Sequence, residues 1–306
     1  MNIQKCMQCL LVTVCALWGL GVSAAQAALQ VLACEPEWAA LVGELAGDRA
    51  QVVSATNARQ DPHRIEARPS LIAAARRADL AVCTGAELET GWLPLLQRES
   101  GNARILPGQP GYFEAAAAVR LIERPAVLDR ALGDVHAAGN PHVHTDPRNV
   151  ALIAKALAQR LGEIDPAGAT IYADRHRTFA ARWAEASARW QRQAQPLRGL
   201  PVVVYHRNWS YLAEWLGLRV VADLEPKPGI EPSARDLERL IEQLRAQPAR
   251  MVLRAPYQSP RASDWIAQRS GMPVVMLPYT VGGTATARDL FELFDDTLRR
   301  LLAAAQ

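Results

Sequence analysis

The sequence predicts an α/β protein of two lobes, each a parallel sheet flanked by helices, joined by one long rigid helix. Three observations carry this expectation. Short runs of Val, Ile and Leu alternate with helical patterns, as in parallel sheets covered by helices. The second half repeats the scheme of the first, with four apolar runs in each. Between the halves lies a stretch almost free of helix breakers after Gly168. The expected organisation is a signal peptide at 1–27, an N-terminal lobe at 28–162, a linking helix at 163–197 and a C-terminal lobe at 198–306.

The first segment, "MNIQKCMQCLLVTVCALWGLGVSAAQA", has one charge (Lys5), an apolar run from about Leu10 to Val22, and then small residues ending in Ala25-Gln26-Ala27. This is the pattern of a secretory signal cut after Ala27. The run is shorter than the roughly 20 residues of a membrane span, which argues against an anchor. "VLAC", ending at Cys34, loosely resembles a lipidation site, but it lies beyond the apolar run and inside the first expected strand. The mature protein is therefore expected to be soluble, exported and periplasmic.

In the first lobe "LQVLACE", "AQVVSAT", "ADLAVCTG" and "ARILP" read as strands, short and branched enough for buried parallel pairing. "RPSLIAAARRA" reads as a helix with Ser70 at its N-cap. Cys34 and Cys83 are the two cysteines left in the mature chain. A disulfide can persist in an oxidising compartment if their strands are neighbours; the expectation is two buried free thiols. Next, "TDPRNVALIAKALAQRLGEID" is a helix opened by Asp146 as N-cap and Pro147 as first helical residue. The segment from Ala169 reads as one long helix, with Trp183 and Trp190 on one face. In the second lobe "PVVVYH", "RVVADL", "RMVLRA" and "PVVMLP" read as strands. "PSARDLERLIEQLRAQ" starts with a capping-box pattern, Ser233 and Asp236. "TARDLFELFDDTLRRLLAAA" closes the chain as an amphipathic helix.

Half the residues are apolar, and 34 basic against 31 acidic side chains leave a formal charge of +3. Sizeable cores can form, and no basic field is available to hold nucleic acid. The chemistry lies in the histidines. His63 is on a loop after the second run, His206 ends the fifth, and His142 lies on a loop just before a helix start. Such loops face a cleft at the carboxyl ends of two sheets. Three neutral imidazoles suit a borderline-soft divalent ion, zinc above all. Their wide sequence separation excludes a local finger. His176, between Arg175 and Arg177, reads as a solvated face. Glu87 and Glu89 read as loop anchors rather than catalytic acids, and Asp61 as a turn residue.

These residues also carry a resemblance. "QDPHRIEARPS", "ADLAVCTGAELETGWLPLL", "NPHVHTDPRN" and "VVVYHRNWSYLAEWLGL" follow one another as do the motifs of the periplasmic zinc-binding proteins of ABC transporters, a cluster that also contains manganese-binding members. "EPKPGIEPSARDLERL" resembles the segment that follows. The resemblance spans residues 28–306. It implies that His63, His142 and His206 are metal ligands, and that Zn2+ is the transported ligand, delivered by a monomer to a membrane permease. Histidine at 206 points to zinc, since manganese members tend to carry a carboxylate there. Two departures stand out. Tyr279 and Thr280 occupy the place of the family's acid, so the fourth ligand is left open between water, His144 and another residue. His144 replaces a tryptophan; it reaches the same ion as His142 only if the segment is extended. The loop "RALGDVHAAGN" holds only His136, so a strong zinc-collecting loop is not expected. The alternatives are a metallochaperone serving another exported protein, manganese binding, and a zinc hydrolase. No H-E-x-x-H motif occurs and no acid adjoins a ligand as a clear base, so the protein is not expected to be an enzyme.

Overall fold

Each half of the chain winds one parallel sheet by the same route. The structure is a computed structural model and describes residues 28–125 and 133–306; the expected signal peptide lies outside the described residues. Strands β1 (Leu29–Ala33), β2 (Ala50–Ser54), β3 (Leu80–Cys83) and β4 (Tyr112–Glu114) form a sheet of order β2-β1-β3-β4. Strands β5 (Pro201–Val204), β6 (Arg219–Asp223), β7 (Met251–Arg254) and β8 (Val274–Met276) repeat that order as β6-β5-β7-β8. All pairings are parallel. In both sheets the order reverses beside the first strand, and ligands of open parallel sheets sit beyond the carboxyl ends at such a point. His206 follows the carboxyl end of β5 by two residues.

Helices follow the apolar periodicity. Those used below are α1 (Pro36–Ala46), α2 (Pro69–Arg77), α3 (Leu93–Ser100), α4 (Pro147–Ile164), α5 (Ala169–Gln193), α6 (Ser210–Leu216), α7 (Ala234–Ala246), α8 (Pro260–Ser270) and α9 (Leu290–Ala305). Asp146 caps α4 as expected, its carboxylate accepting from the Arg148 N–H. Ser233 and Asp236 make both bonds of the capping box of α7.

Two elements differ from expectation. "ARILP" is not a strand: Ala103–Ile105 is a single 3-10 turn. Asn102 accepts from the Arg104 N–H at 3.2 Å and donates to the carbonyls of Ala75 and Ala78, which fixes the chain as a turn. The fourth strand is Tyr112–Glu114. Ser70 is not the cap of α2, because Pro69 already stands in the first turn and Arg68 occupies the N-cap.

The thiol expectation is also corrected. Cys34 and Cys83 form a disulfide, with Cα atoms 4.7 Å apart. Strands β1 and β3 are adjacent, and the Cys34 N–H donates to the Val82 carbonyl, so the two side chains emerge together at one sheet end. Replacing both cysteines by alanine is expected to lower stability by about 2–4 kcal/mol in denaturant unfolding. An unchanged midpoint would mean that the bridge constrains nothing.

The core explains how the lobes are held. One buried cluster runs from Val31 and Trp38 through Phe179, Trp183 and Trp190 on α5 to Val204 and Phe294. It takes side chains from both sheets and from the linking helix. Separate clusters lie on the outer faces, around Leu32 and Leu96 in the first half and Val203 and Leu240 in the second. Close-packed interiors resist shear, so the shared cluster makes α5 a strut. Among the described residues no helix is long and apolar enough to cross a membrane.

Candidate metal centre

Three loops bring His63, His142 and His206 together, each buried. One ligand nitrogen from each lies within 4.8 Å of the others. Ring centroids stand 5.4 Å apart for His63–His142, 5.6 Å for His63–His206 and 5.4 Å for His142–His206, with planes crossing at 70° to 82°. Imidazoles bound at about 2.0 Å to one tetrahedral ion have centroids roughly 5 Å apart. The triangle is the right size for one ion.

Local sequence builds each position. His63 follows Asp61-Pro62 on a loop pinned by the Trp92 indole, which donates to the Pro62 carbonyl at 2.8 Å. Gly91 packs beneath: a Cβ there would stand 2.6 Å from the His63 carbonyl oxygen, so the close approach requires glycine. His142 follows Pro141, and its N–H donates to the Asn140 side chain. Asn140 in turn donates to the Arg207 carbonyl at 2.7 Å, tying this loop to the one that carries His206. His206 leaves β5 in extended backbone, just before the turn into α6.

Behind each ring stands an oxygen. Nδ1 of His63 lies 2.8 Å from Asp61, Nδ1 of His206 2.7 Å from Glu225, and Nδ1 of His142 2.7 Å from the Tyr279 hydroxyl. A carboxylate only accepts, so Nδ1 of His63 and of His206 carries the proton and Nε2 keeps its lone pair. Outer-shell partners of this kind fix the tautomer of metal-binding histidines. Burial, the largest single influence, favours a protonated Asp61, but the hydrogen bonds and charge of His63, with His206, together outweigh it and hold the carboxyl below its usual range. Burial first, and then His63 and its neighbouring imidazoles, push His142 well below the ordinary histidine range, leaving it neutral.

His144 takes no place in the cluster. The segment Val143–Thr145 is a 3-10 turn, not extended, so His142 and His144 point apart. Nε2 of His144 meets the Tyr279 carbonyl at 2.9 Å, and its Nδ1 faces buried Glu37 at 3.1 Å. The Thr280 hydroxyl donates to the other oxygen of Glu37. Tyr279 and Thr280 are thus committed behind the histidines. The other grouping of ligand-type side chains among the described residues, Cys34, Cys83 and Glu89, is the disulfide beside a carboxylate.

His136 is the residue that sequence reading passed over. Its ring stacks on His63, 5.3 Å between centroids at 30°, and stands 6.4 Å from His142. Burial first, and then His63 and His206, lower it to about 4. A lone histidine in a glycine-bounded loop carried no positional signal. Glu87 is a loop anchor: its carboxylate accepts the Ala137 N–H and holds the His136 loop in place. His176 is half-buried on α5, outside the cluster.

Glu89 anchors its own turn, accepting from the N–H groups of Thr84 and Gly85. Burial nevertheless raises it to about 7. A carboxyl raised by folding stabilises the protein fully below its unfolded value of about 4.5, and that contribution is lost as pH rises through about 7. Glu89→Gln is therefore expected to gain thermal stability relative to wild type as pH rises from 5 to 8, with a chelator present. The difference between the two curves carries the test, because buried neutral His136 and His142 slope each curve the other way. A constant difference would contradict it.

Comparison with known proteins gives the chain's relatives. Residues 31–304 match the family model "ZnuA: Zinc-uptake complex component A periplasmic". The chain is 22% identical to the high-affinity zinc uptake system protein ZnuA of Brucella abortus over 120 residues, 39% of this chain and 36% of that protein, so the match spans about a third of that relative. It is 23% identical to the manganese ABC transporter substrate-binding lipoprotein PsaA of Streptococcus pneumoniae over 257 residues, 82% of this chain and 80% of that one. In fold it is similar to a crystal structure of ZnuA, with a TM-score of 0.75, 23% identity, and coverage of 91% of this chain and 100% of the other. The Cd-bound periplasmic metal binding protein from Candidatus Liberibacter asiaticus gives a TM-score of 0.74 at 17% identity, covering 90% and 99%.

Proposed function

From a chain that belongs to the ZnuA family of periplasmic metal-uptake components, we propose periplasmic capture of Zn2+ by His63, His142 and His206 and delivery to an ABC transporter permease. The family supplies the coarser statement, a metal-binding component of zinc or manganese transport. The observation that carries the finer one is the triangle of imidazoles, each with its Nδ1 against an oxygen. Three nitrogen donors favour zinc over manganese, which prefers oxygen. The zinc is cargo. The imidazoles replace its water, and deprotonated ligands make retention weaken in acid.

The continuous core through α5 supports a small closure rather than a wide swing, so release falls to the permease parting the two loop sets. A signal peptide at 1–27 fits export, and the monomer is the working unit. Asp61 and Glu225 are engaged with Nδ1 atoms, and Glu87 and Glu89 with backbone amides, which weighs against a hydrolytic base. The test of delivery is zinc uptake at limiting zinc in cells lacking the gene. Wild type is expected to restore uptake and the His63/His142/His206 triple alanine variant to fail. Equal rescue by both would overturn the reading.

A further inference from the structure

We infer that His136 is the fourth donor to the ion, delivered by the strap 133–139, so that zinc is held by four imidazoles. The inference rests on the three-histidine reading above and deepens it. Three rings set on a tetrahedron leave one direction open. The candidates for it are few. Tyr279 and Thr280 are spent on His142 and Glu37. Both ring nitrogens of His144 face Tyr279 and Glu37. Asp61 and Glu225 stand behind the rings on Nδ1.

His136 is different. Its Nε2 is buried and has no hydrogen-bond partner. A buried polar atom without a partner costs free energy unless something binds it. Nε2 of His63, the ring it stacks on, is buried and unpartnered as well. Two lone nitrogens on facing rings at the mouth of one cluster point to a shared cation.

The strap is held from both lobes. The Asp134 N–H donates to the Pro228 carbonyl at 2.9 Å, and Arg64 pairs with the Asp134 carboxylate at 3.1 Å. The Ala137 N–H is held by Glu87, and Arg124 donates to the Ala138 carbonyl at 3.1 Å. These anchors flank His136 on both sides and hold its ring beside the cluster. The ring lies just outside the convergent group, its centroid 5.3 Å from that of His63 and 6.4 Å from that of His142, so a small shift of the strap would bring Nε2 to the ion. A fourth nitrogen in place of an oxygen donor would sharpen the preference for zinc over manganese.

The test uses the full mature chain, tag-free and loaded with one equivalent of zinc, by X-ray absorption at the zinc edge and by competitive titration. Wild type is expected to give four imidazoles. His136→Phe keeps a ring against His63 but has no donor; it is expected to give three imidazoles and one oxygen, with zinc affinity lower by at least about tenfold and manganese affinity nearly unchanged. Glu87→Ala, which frees the strap but keeps the imidazole, should retain four. Three imidazoles in both wild type and His136→Phe, with equal affinities, would overturn the inference and leave the three-histidine site standing. A wild-type chain that holds no zinc would overturn both.

Discussion

Replacing His206 by alanine is expected to weaken zinc binding on the order of 100- to 1,000-fold. Structural zinc sites are worth about 10–16 kcal/mol, or roughly 2.5–4 kcal/mol per donor in a four-donor site. The loss should fall at that scale because nothing near position 206 can replace the ring. Glu225, its Nδ1 partner, also accepts the Gly229 N–H at 2.7 Å and is held back by it. His206→Asp is expected to lose zinc affinity while narrowing the gap to manganese, since an oxygen donor suits the harder ion. Competitive titration with each metal measures both. Unchanged zinc affinity in the alanine variant would remove His206 from the site.

The largest effect on stability is expected at Trp183. Its ring packs against Phe179, Trp190, Phe291 and Phe294 at centroid distances of 5.0 to 5.6 Å. Its indole N–H donates to the Pro147 carbonyl at 2.8 Å. The side chain thus joins the linking helix α5 to the start of α4, five residues past His142, and to α9 of the second lobe. Trp183→Ala is expected to cost about 3–5 kcal/mol through the cavity, plus the donor lost by the carbonyl. Trp183→Phe refills most of the cavity and should cost clearly less. Equal unfolding midpoints for wild type and the alanine variant would contradict the account of α5 as a strut.

Much of this molecule was legible in its residues. The runs at 201–204, 219–223, 251–254 and 274–276 are apolar, branched and bounded by breakers, and each became a strand. Asp146-Pro147 and Ser233–Asp236 marked helix starts because capping chemistry is local. "ARILP" failed because a short apolar run has no period long enough to separate strand from turn, and the deciding bonds of Asn102 reach back to Ala75 and Ala78. Whether Cys34 and Cys83 would bond depended on sheet order, which the run of strands does not state.

The site divides in the same way. His63, His142 and His206 stood out through strand ends, loops and resemblance. Asp61 was read as a turn residue, and it is one, its carboxylate accepting the His63 N–H; it also holds the His63 ring. Glu225 gave no sequence signal, since its partner lies 19 residues away across β6. His144 turned on a single backbone conformation, extended or 3-10, that nearby residues do not fix. His136 depended on anchors at Glu87 and Pro228, remote from it in the chain.

The proposed function stands or falls on whether this cleft holds one zinc ion. The most direct measurement is metal analysis of the mature chain, purified from the periplasm without a histidine tag, followed by competitive zinc titration. One tightly held zinc per chain is expected, lost on replacement of His142. No zinc, or manganese in its place, would contradict it.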